Sequence, residues 1–276
     1  VSSELHYNDK NLIEKVIRAL SLLEMLVKAG CPLVFKGGTA LMLILGKSAH
    51  RLSIDIDLIC PPGTNIEDYL KSFADFGFIN LELVERKQRD DADIPKSHSK
   101  FFYQIAYRND TDAQSYILLD VLYEDIHYFR TQQIAINCPF IRLEGKPLMV
   151  TVPSAEDILG DKLTAFAPNT TGIPYYRNGR SCSMEIAKQL YDVGRLFENV
   201  SDLQITKEAF RKIAVVELSY RSFGTDIGQV FNDIRQTALC ISTRGKAGEG
   251  DFDLIQDGII RVKSFMYKQR YLIDHA

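Results

Sequence analysis

The alternation of apolar and polar positions along the chain predicts strands mixed with helices in the first half. Apolar residues recur at helical spacing over 10–29, and a Gly-Cys-Pro turn ends that helix. Shorter apolar runs predict strands near 33–36, 52–59, 78–86, 100–107, 115–123, 132–138 and 147–152, with helices over 40–47 and 66–76. From Ser154 onward the pattern is helical, apart from a polar loop at 168–183. We therefore predict an α+β protein with a sheet domain over 1–153, a helical domain over 154–276, and an active site in the cleft between them.

Two acidic residues, Asp55 and Asp57, interrupt the apolar segment 52–59. Because side chains alternate faces along a strand, the two carboxylates share one face roughly 6–7 Å apart and repel each other. A third carboxylate, Asp120, lies within 115–123, which is typical of a central strand. Burying it without a partner would be costly. A shared Mg²⁺ or Mn²⁺ ion would stabilise all three, and such ions complete their ligand shell with substrate phosphates.

The turn Gly37-Gly38-Thr39 lies between a predicted strand and a predicted helix. Glycines let backbone N–H groups approach a ligand closely, and a helix N-terminus favours anions. Thr39 could donate its hydroxyl to a phosphate, or it could simply cap the helix. The sixteen-residue step from Thr39 to Asp55 leaves room for one helix and a return to a neighbouring strand, which would place the turn beside the metal ligands.

These motifs resemble a known family. The segments KGGTAL and RLSIDIDL are similar to the nucleotidyltransferase fold of the DNA polymerase β superfamily, a mixed sheet with flanking helices. More narrowly, these segments together with DKLTAF and KQLYDVGRL resemble the AbiEii/AbiGii toxins of type IV toxin–antitoxin systems. The resemblance covers about half of the chain, with its most specific part over 34–60.

The resemblance implies a metal-dependent transfer of a nucleoside monophosphate from an NTP, with pyrophosphate leaving. It implies an RNA acceptor, notably the tRNA 3′ end, and a toxin with a cognate antitoxin. The family's motifs fall on Gly38, Thr39, Asp55, Asp57, Lys162 and Asp192. On this interpretation, the Gly37–Thr39 turn and Lys162 hold the β- and γ-phosphates.

Lys162 is expected at the edge of the apolar face of a helix that begins after Ser154. Held there, its ammonium would neutralise charge that builds up during phosphoryl transfer. The alternative is that it extends to solvent.

In the predicted helix 185–197, the apolar stripe is expected to be Ile186, Leu190, Val193 and Phe197. Lys188, Asp192 and Arg195 then share another face. They form either a surface ion pair, or a site in which Asp192 contacts or orients the acceptor and Lys188 binds phosphate.

Arg51 either reaches the triphosphate or lies at a solvated strand end. The loop at 168–183 combines Tyr175, Tyr176, Arg177 and Arg180, which would suit a single-stranded RNA end, or it is an ordinary disordered loop.

Composition narrows the class of protein only slightly. The net charge of −3 shows no overall basic signature, so RNA contacts need a local patch. The five cysteines form no CxxC pair, which argues against a disulfide framework or structural zinc and favours a reducing cytoplasm. No apolar run is long enough to span a membrane. Three alternatives stay open: transfer of AMP to a small molecule or protein, a glycosyltransferase, and a non-catalytic nucleotide-binding module.

Overall fold

A computed structural model describes residues 9–83, 95–106, 113–221, 226–267 and 270–276. The described residues form two compact units. The first comprises those up to Pro153 except His127–Arg130, and the second comprises His127–Arg130 together with those from Ser154 onward.

The first unit is built on a mixed five-stranded sheet. Its strands are β1 (Val34–Lys36), β2 (Ile56–Cys60), β3 (Asn80–Leu83), β4 (Lys96–Gln104) and β5 (Gln114–Tyr123). Their spatial order is β1-β2-β5-β4-β3, with β2 parallel to β5 and the other neighbours antiparallel. Two further strands, β6 (Thr131–Ala135) and β7 (Met149–Pro153), pair separately. The long apolar strand β5 is central, as its sequence predicts.

Two helices accompany this sheet. Helix α1 (Lys10–Lys28) begins where the Asp9 carboxylate accepts a hydrogen bond from the Leu12 N–H, and its apolar face is buried. Helix α2 (Gly37–Leu45) follows β1 directly and packs against β1 and β2. The helix α2 therefore begins three residues earlier than predicted, inside the glycine turn.

Two other predicted elements differ. Strand β2 begins at Ile56 rather than at 52, so the residues just before it are not strand. Residues 66–76 form two 3₁₀ turns, Ile66–Tyr69 and Phe73–Phe76, in place of the predicted helix. Only Ile66 and Leu70 of that segment are buried, so it lacks the apolar face that stabilises an α-helix in a protein. The turn predicted at 109–112 lies outside the described residues.

The second unit is helical with one small hairpin. Its elements are α3 (Ala155–Ala165), β8 (Tyr176–Arg177), β9 (Arg180–Ser181), α4 (Ser183–Phe197), α5 (Leu203–Tyr220), α6 (Ile227–Ser242) and α7 (Phe252–Val262). Helix α3 packs on α5 and helix α4 on α7. Both contacts are close because glycines face the partner: Gly160 lies against the backbone of Phe210, and Gly258 against that of Ser183. The predicted α+β class, a mixed sheet followed by a helical half, is confirmed.

None of the helices in the described ranges combines the length and the apolar character needed to cross a bilayer.

Candidate active site

Four polar side chains form a row across the sheet of the first unit. Strand register pairs Lys36 with Asp57, Asp57 with Asp120, and Asp120 with His98. Residues paired in this way point to the same face, and neighbouring strands lie about 4.8 Å apart. The structure therefore makes Asp57 and Asp120 direct neighbours, and each carboxylate has a basic residue on its outer side.

His98 was not identified from the sequence. Its Nδ1 lies 2.5 Å from Oδ1 of Asp120, and the imidazole is buried while the Asp120 side chain is 32% exposed. The contact therefore fixes the Asp120 carboxylate at one oxygen and leaves the side chain accessible to a ligand. No local motif could have indicated this pair, because it depends on the register between β4 and β5.

Gly37 brings the start of α2 against the Asp57 carboxylate. It has a φ of +78°, a region that favours glycine, and a Cβ placed on it would overlap Oδ2 and Cγ of Asp57. The glycine turn was expected to approach a ligand. In this structure Gly37, the first glycine of the turn, approaches the side chain of Asp57, which is itself a proposed metal ligand.

Thr39 connects α2 to the segment leading into β2. Its buried hydroxyl donates a hydrogen bond of 2.7 Å to the Asp55 carbonyl oxygen. Its proton is therefore engaged by the backbone in this structure. The cap interpretation is wrong, because the N-cap residue of α2 is Lys36.

Arg51 is buried and donates a hydrogen bond of 3.0 Å to the Leu52 carbonyl oxygen. A Cβ placed on Gly38 would fall 2.9 Å from its guanidinium and 2.7 Å from the Ser53 hydroxyl. Arg51 therefore lies beside the glycine turn, and the interpretation as a solvated strand end is wrong.

The third predicted metal ligand, Asp55, precedes β2, so strand alternation does not fix its direction. Within the described residues, no three carboxylate, imidazole or thiol groups are clustered as a metal site would require. Asp57 and Asp120 nevertheless fit a divalent ion, because Mg²⁺ takes one or two protein carboxylates and completes its shell with waters and phosphates. The structure supplies that pair and does not assemble Asp55 with it as a third ligand.

In the second unit, Lys162 and Asp192 form a buried ion pair. The two residues are 7% and 2% exposed, and Nζ lies 3.0 Å from Oδ2. Lys162 therefore does not extend to solvent, and Asp192 is buried rather than exposed on the surface of α4. The two residues join α3 to α4.

The burial of Asp192 follows from the rotation of α4. Its buried face includes Ile186, Ala187, Tyr191, Asp192 and Leu196, whereas Phe197, predicted to be buried, is 61% exposed. Tyr271 is close by: burial raises the pKa of its hydroxyl, and the neighbouring Tyr191 and Asp192 raise it further.

Lys188, a predicted phosphate ligand, lies over the ring of Phe265, with Nζ 4.0 Å from the ring centroid. This cation–π contact packs the side chain against an aromatic ring of the second unit.

The sequence model of the family described as "Nucleotidyl transferase AbiEii toxin, Type IV TA system" matches residues 19–261. The chain therefore belongs to the AbiEii nucleotidyltransferase toxin family, and the resemblance seen in its sequence is confirmed. Its class of enzyme is nucleotidyltransferase.

Solved structures with a similar chain include JHP933 from Helicobacter pylori and the nucleotidyltransferase toxin MenT4 from Mycobacterium tuberculosis. JHP933 is 17% identical, with 86% of this chain and 91% of that chain covered and a TM-score of 0.41. MenT4 is also 17% identical, with 72% of this chain and 62% of that chain covered and a TM-score of 0.46. None of the curated proteins matches the chain.

Proposed function

We propose that this protein transfers a nucleoside monophosphate from an NTP to an RNA acceptor, the 3′ end of tRNA, and that it is the toxin partnered by a cognate antitoxin. The observation that carries the proposal is the pairing of Asp57 with Asp120 on one sheet face, beside the glycine-rich start of α2. Family membership supports the reaction class. The tRNA acceptor is what the resemblance of the sequence motifs to this family implies.

Asp57 and Asp120 would hold Mg²⁺ or Mn²⁺. When bound, the ion offsets the negative charge of the triphosphate and of the leaving pyrophosphate.

The start of α2 is the proposed phosphate site of the first unit. Its first backbone N–H groups carry the positive end of the helix dipole, and Gly37 and Gly38 have no side chains to block a phosphate. Arg51 lies beside this turn and adds a positive charge. In this proposal, the role of Thr39 is to position the turn. Its hydrogen bond to the Asp55 carbonyl oxygen holds the start of α2 against the segment that leads into β2.

In the proposed reaction, the acceptor hydroxyl oxygen attacks the α-phosphorus of the NTP. The bond from that phosphorus to the bridging oxygen breaks, and pyrophosphate leaves with the electron pair. The hydroxyl proton passes to Oδ2 of Asp120, while His98 holds Oδ1 and keeps the carboxylate oriented.

For the second unit, the residues that match the family motifs suggest two roles: Lys162 neutralises triphosphate charge and Asp192 orients the acceptor. Lys188, one turn before Asp192 on the same helix, is proposed to bind phosphate. The buried Lys162–Asp192 pair supports a common role for the first two, because each fixes the position of the other.

The test is incubation of the protein with each α-³²P-labelled NTP, Mg²⁺ and tRNA, comparing wild type with Asp57→Asn. We expect labelled tRNA from wild type and at least a hundredfold loss in the variant, because one metal ligand is removed. We expect its melting temperature to be unchanged or raised, because two adjacent like charges become one. Asp253→Asn, an exposed acid in α7, is the matched control and should transfer at the wild-type rate.

Transfer by Asp57→Asn at the wild-type rate would contradict the assigned chemistry. Label on a small molecule or a protein would contradict the RNA acceptor only. NTP binding without transfer to any of these acceptors would identify a binding module.

A further inference from the structure

The loop between α3 and α4 contains a well-defined hairpin. Strands β8 and β9 pair Tyr176 with Ser181 and Arg177 with Arg180. The two residues between them, Asn178 and Gly179, both have positive φ, as a tight type I′ turn requires. The hairpin is therefore a preformed surface, and the interpretation of this loop as disordered is wrong.

The hairpin is fixed to the helical core by the residue before it. Tyr175 packs against the buried cluster that includes residues of α4 and α7, and its backbone carbonyl accepts a hydrogen bond of 2.9 Å from the Cys182 N–H. Because side chains alternate along a strand, the next residue, Tyr176, points the other way and is 59% exposed. One tyrosine anchors the hairpin and the other is presented to solvent.

Two like charges face each other across the hairpin. Arg177 and Arg180 are direct cross-strand partners and are both exposed, an arrangement that is unfavourable by itself. Within the described part of the chain, neither guanidinium pairs with a carboxylate. A bound anion between the two arginines would convert this repulsion into attraction.

A third arginine, Arg221, lies near the hairpin. Arg221 donates a hydrogen bond of 3.0 Å to the Thr170 carbonyl oxygen. Burial lowers the pKa of Arg221, Glu217 opposes that shift, and the charge of Arg177 adds to it. Arg221 is therefore close enough to Arg177 for the two charges to interact. Because Glu217 offsets the charge of Arg221, the local basic patch consists of Arg177 and Arg180, in a chain whose net charge is −3.

We propose that the hairpin 176–181 binds the single-stranded end of the RNA acceptor, with Arg177 and Arg180 on its phosphates and Tyr176 stacked on a base. This inference rests on the proposed function. Strand alternation places Tyr176 on the opposite face of the hairpin from Arg177 and Arg180, so a single strand would pass over the hairpin with its phosphates on one face and a base on the other. Cationic groups and an exposed aromatic ring on one short hairpin suit unpaired nucleotides, because a duplex keeps its bases stacked inside. Helix α4 begins directly after the hairpin, and Asp192 lies about 14 Å further along that helix, a span that a short single-stranded end can bridge.

The experiment is fluorescence anisotropy with the full chain, without NTP or divalent metal, so that binding is read independently of transfer. The probe is a fluorescein-labelled single-stranded RNA of about 12 nucleotides, with the same sequence as a duplex for comparison. Arg177→Ala/Arg180→Ala should weaken single-strand binding about tenfold or more and reduce the salt slope by about 1.4, which corresponds to two phosphate contacts. Thermal melting should be unchanged or slightly improved, because the like-charge pair is gone.

Substitutions at Tyr176 distinguish the contribution of base stacking to RNA binding from the contribution of charge. Tyr176→Ala should weaken binding about fivefold or more with little change in salt slope, and Tyr176→Phe should bind as wild type, because the ring and not the hydroxyl makes the contact. Matched controls are Arg211→Ala and Phe231→Ala, which remove an exposed arginine and an exposed aromatic ring outside the hairpin.

Unchanged affinity and salt slope in the double arginine variant would overturn the inference. It would also be overturned if this variant lost as much affinity for the duplex as for the single-stranded RNA. If the inference fails while wild type still labels tRNA, the proposed function stands and the acceptor is bound elsewhere. If the hairpin variants lose RNA binding but wild type transfers no nucleotide, the RNA site stands and the proposed function fails.

Discussion

At the scale of single residues, the candidate site depends on a glycine and a carboxylate that occupy each other's space. Gly37 has a left-handed backbone and leaves no room for a Cβ beside Asp57. The glycine therefore serves two purposes: it allows the turn into α2, and it allows that turn to touch a proposed metal ligand. A substitution at this position tests both.

Gly37→Ala is expected to be more damaging than the same change at Gly63. Both glycines have a φ near +80°, but a Cβ on Gly63 meets nothing within 4 Å, so Gly63→Ala measures backbone strain alone, about 1–2 kcal/mol. Gly37→Ala adds steric overlap with Asp57, which should cost about 1–3 kcal/mol more and displace the carboxylate. Urea denaturation and the tRNA-labelling assay measure the two effects. Equal losses in both variants would show that the Asp57 contact is unimportant.

At the scale of elements, the Lys162–Asp192 pair joins α3 to α4 through charges removed from water. The sequence places Lys162 at the edge of an apolar stripe. From that position alone, truncating the Lys162 side chain should cost little stability, because it would leave only a small cavity. The structure changes that expectation. Both residues are buried, so removing one partner leaves the other charge in a poorly solvated site.

Lys162→Met is therefore expected to lower the free energy of unfolding by about 3–5 kcal/mol. The double variant Lys162→Met/Asp192→Leu should recover much of the loss, because no buried charge remains. Urea unfolding of wild type, both single variants and the double variant gives the coupling energy. A loss below about 1 kcal/mol in Lys162→Met would mean that the pair is solvated in solution.

At the scale of the whole molecule, ligand binding to the first unit should be visible as stability. A ligand that binds only the folded protein stabilises it by RT ln(1 + [L]/Kd), about 2.7 kcal/mol at a hundredfold excess over Kd. We expect Mn²⁺ with a non-hydrolysable ATP analogue to raise the melting temperature by about 5 °C or more. Differential scanning fluorimetry measures this shift without any catalytic step.

The shift, rather than the starting temperature, is the quantity to compare between variants. Asp57→Asn/Asp120→Asn should lose most of it, even if removal of the adjacent charges raises the initial melting temperature. NaCl at matched ionic strength is the control for screening. An undiminished shift in the double variant would place the metal and nucleotide on other residues.

The sequence by itself determined the elements whose signals are local. The 3.6-residue period predicts α1, the apolar run around Asp120 predicts the central strand β5, and the glycine turn followed by Asp55 and Asp57 indicates the family. Each of these signals depends on residues within a few positions of one another, so tertiary context is not needed to read them.

Only the tertiary structure decided how those elements meet. The register between β4 and β5 placed His98 on Asp120, the rotation of α4 buried Asp192 against Lys162, and strand β2 began too late to include Asp55. Register and rotation are chosen by the burial summed over the whole core, and a slip of one residue turns every side chain of a strand to the other face. No single segment of the sequence determines that sum. The carboxylates could therefore be identified from the sequence, whereas the residues that contact them could be identified only from the fold.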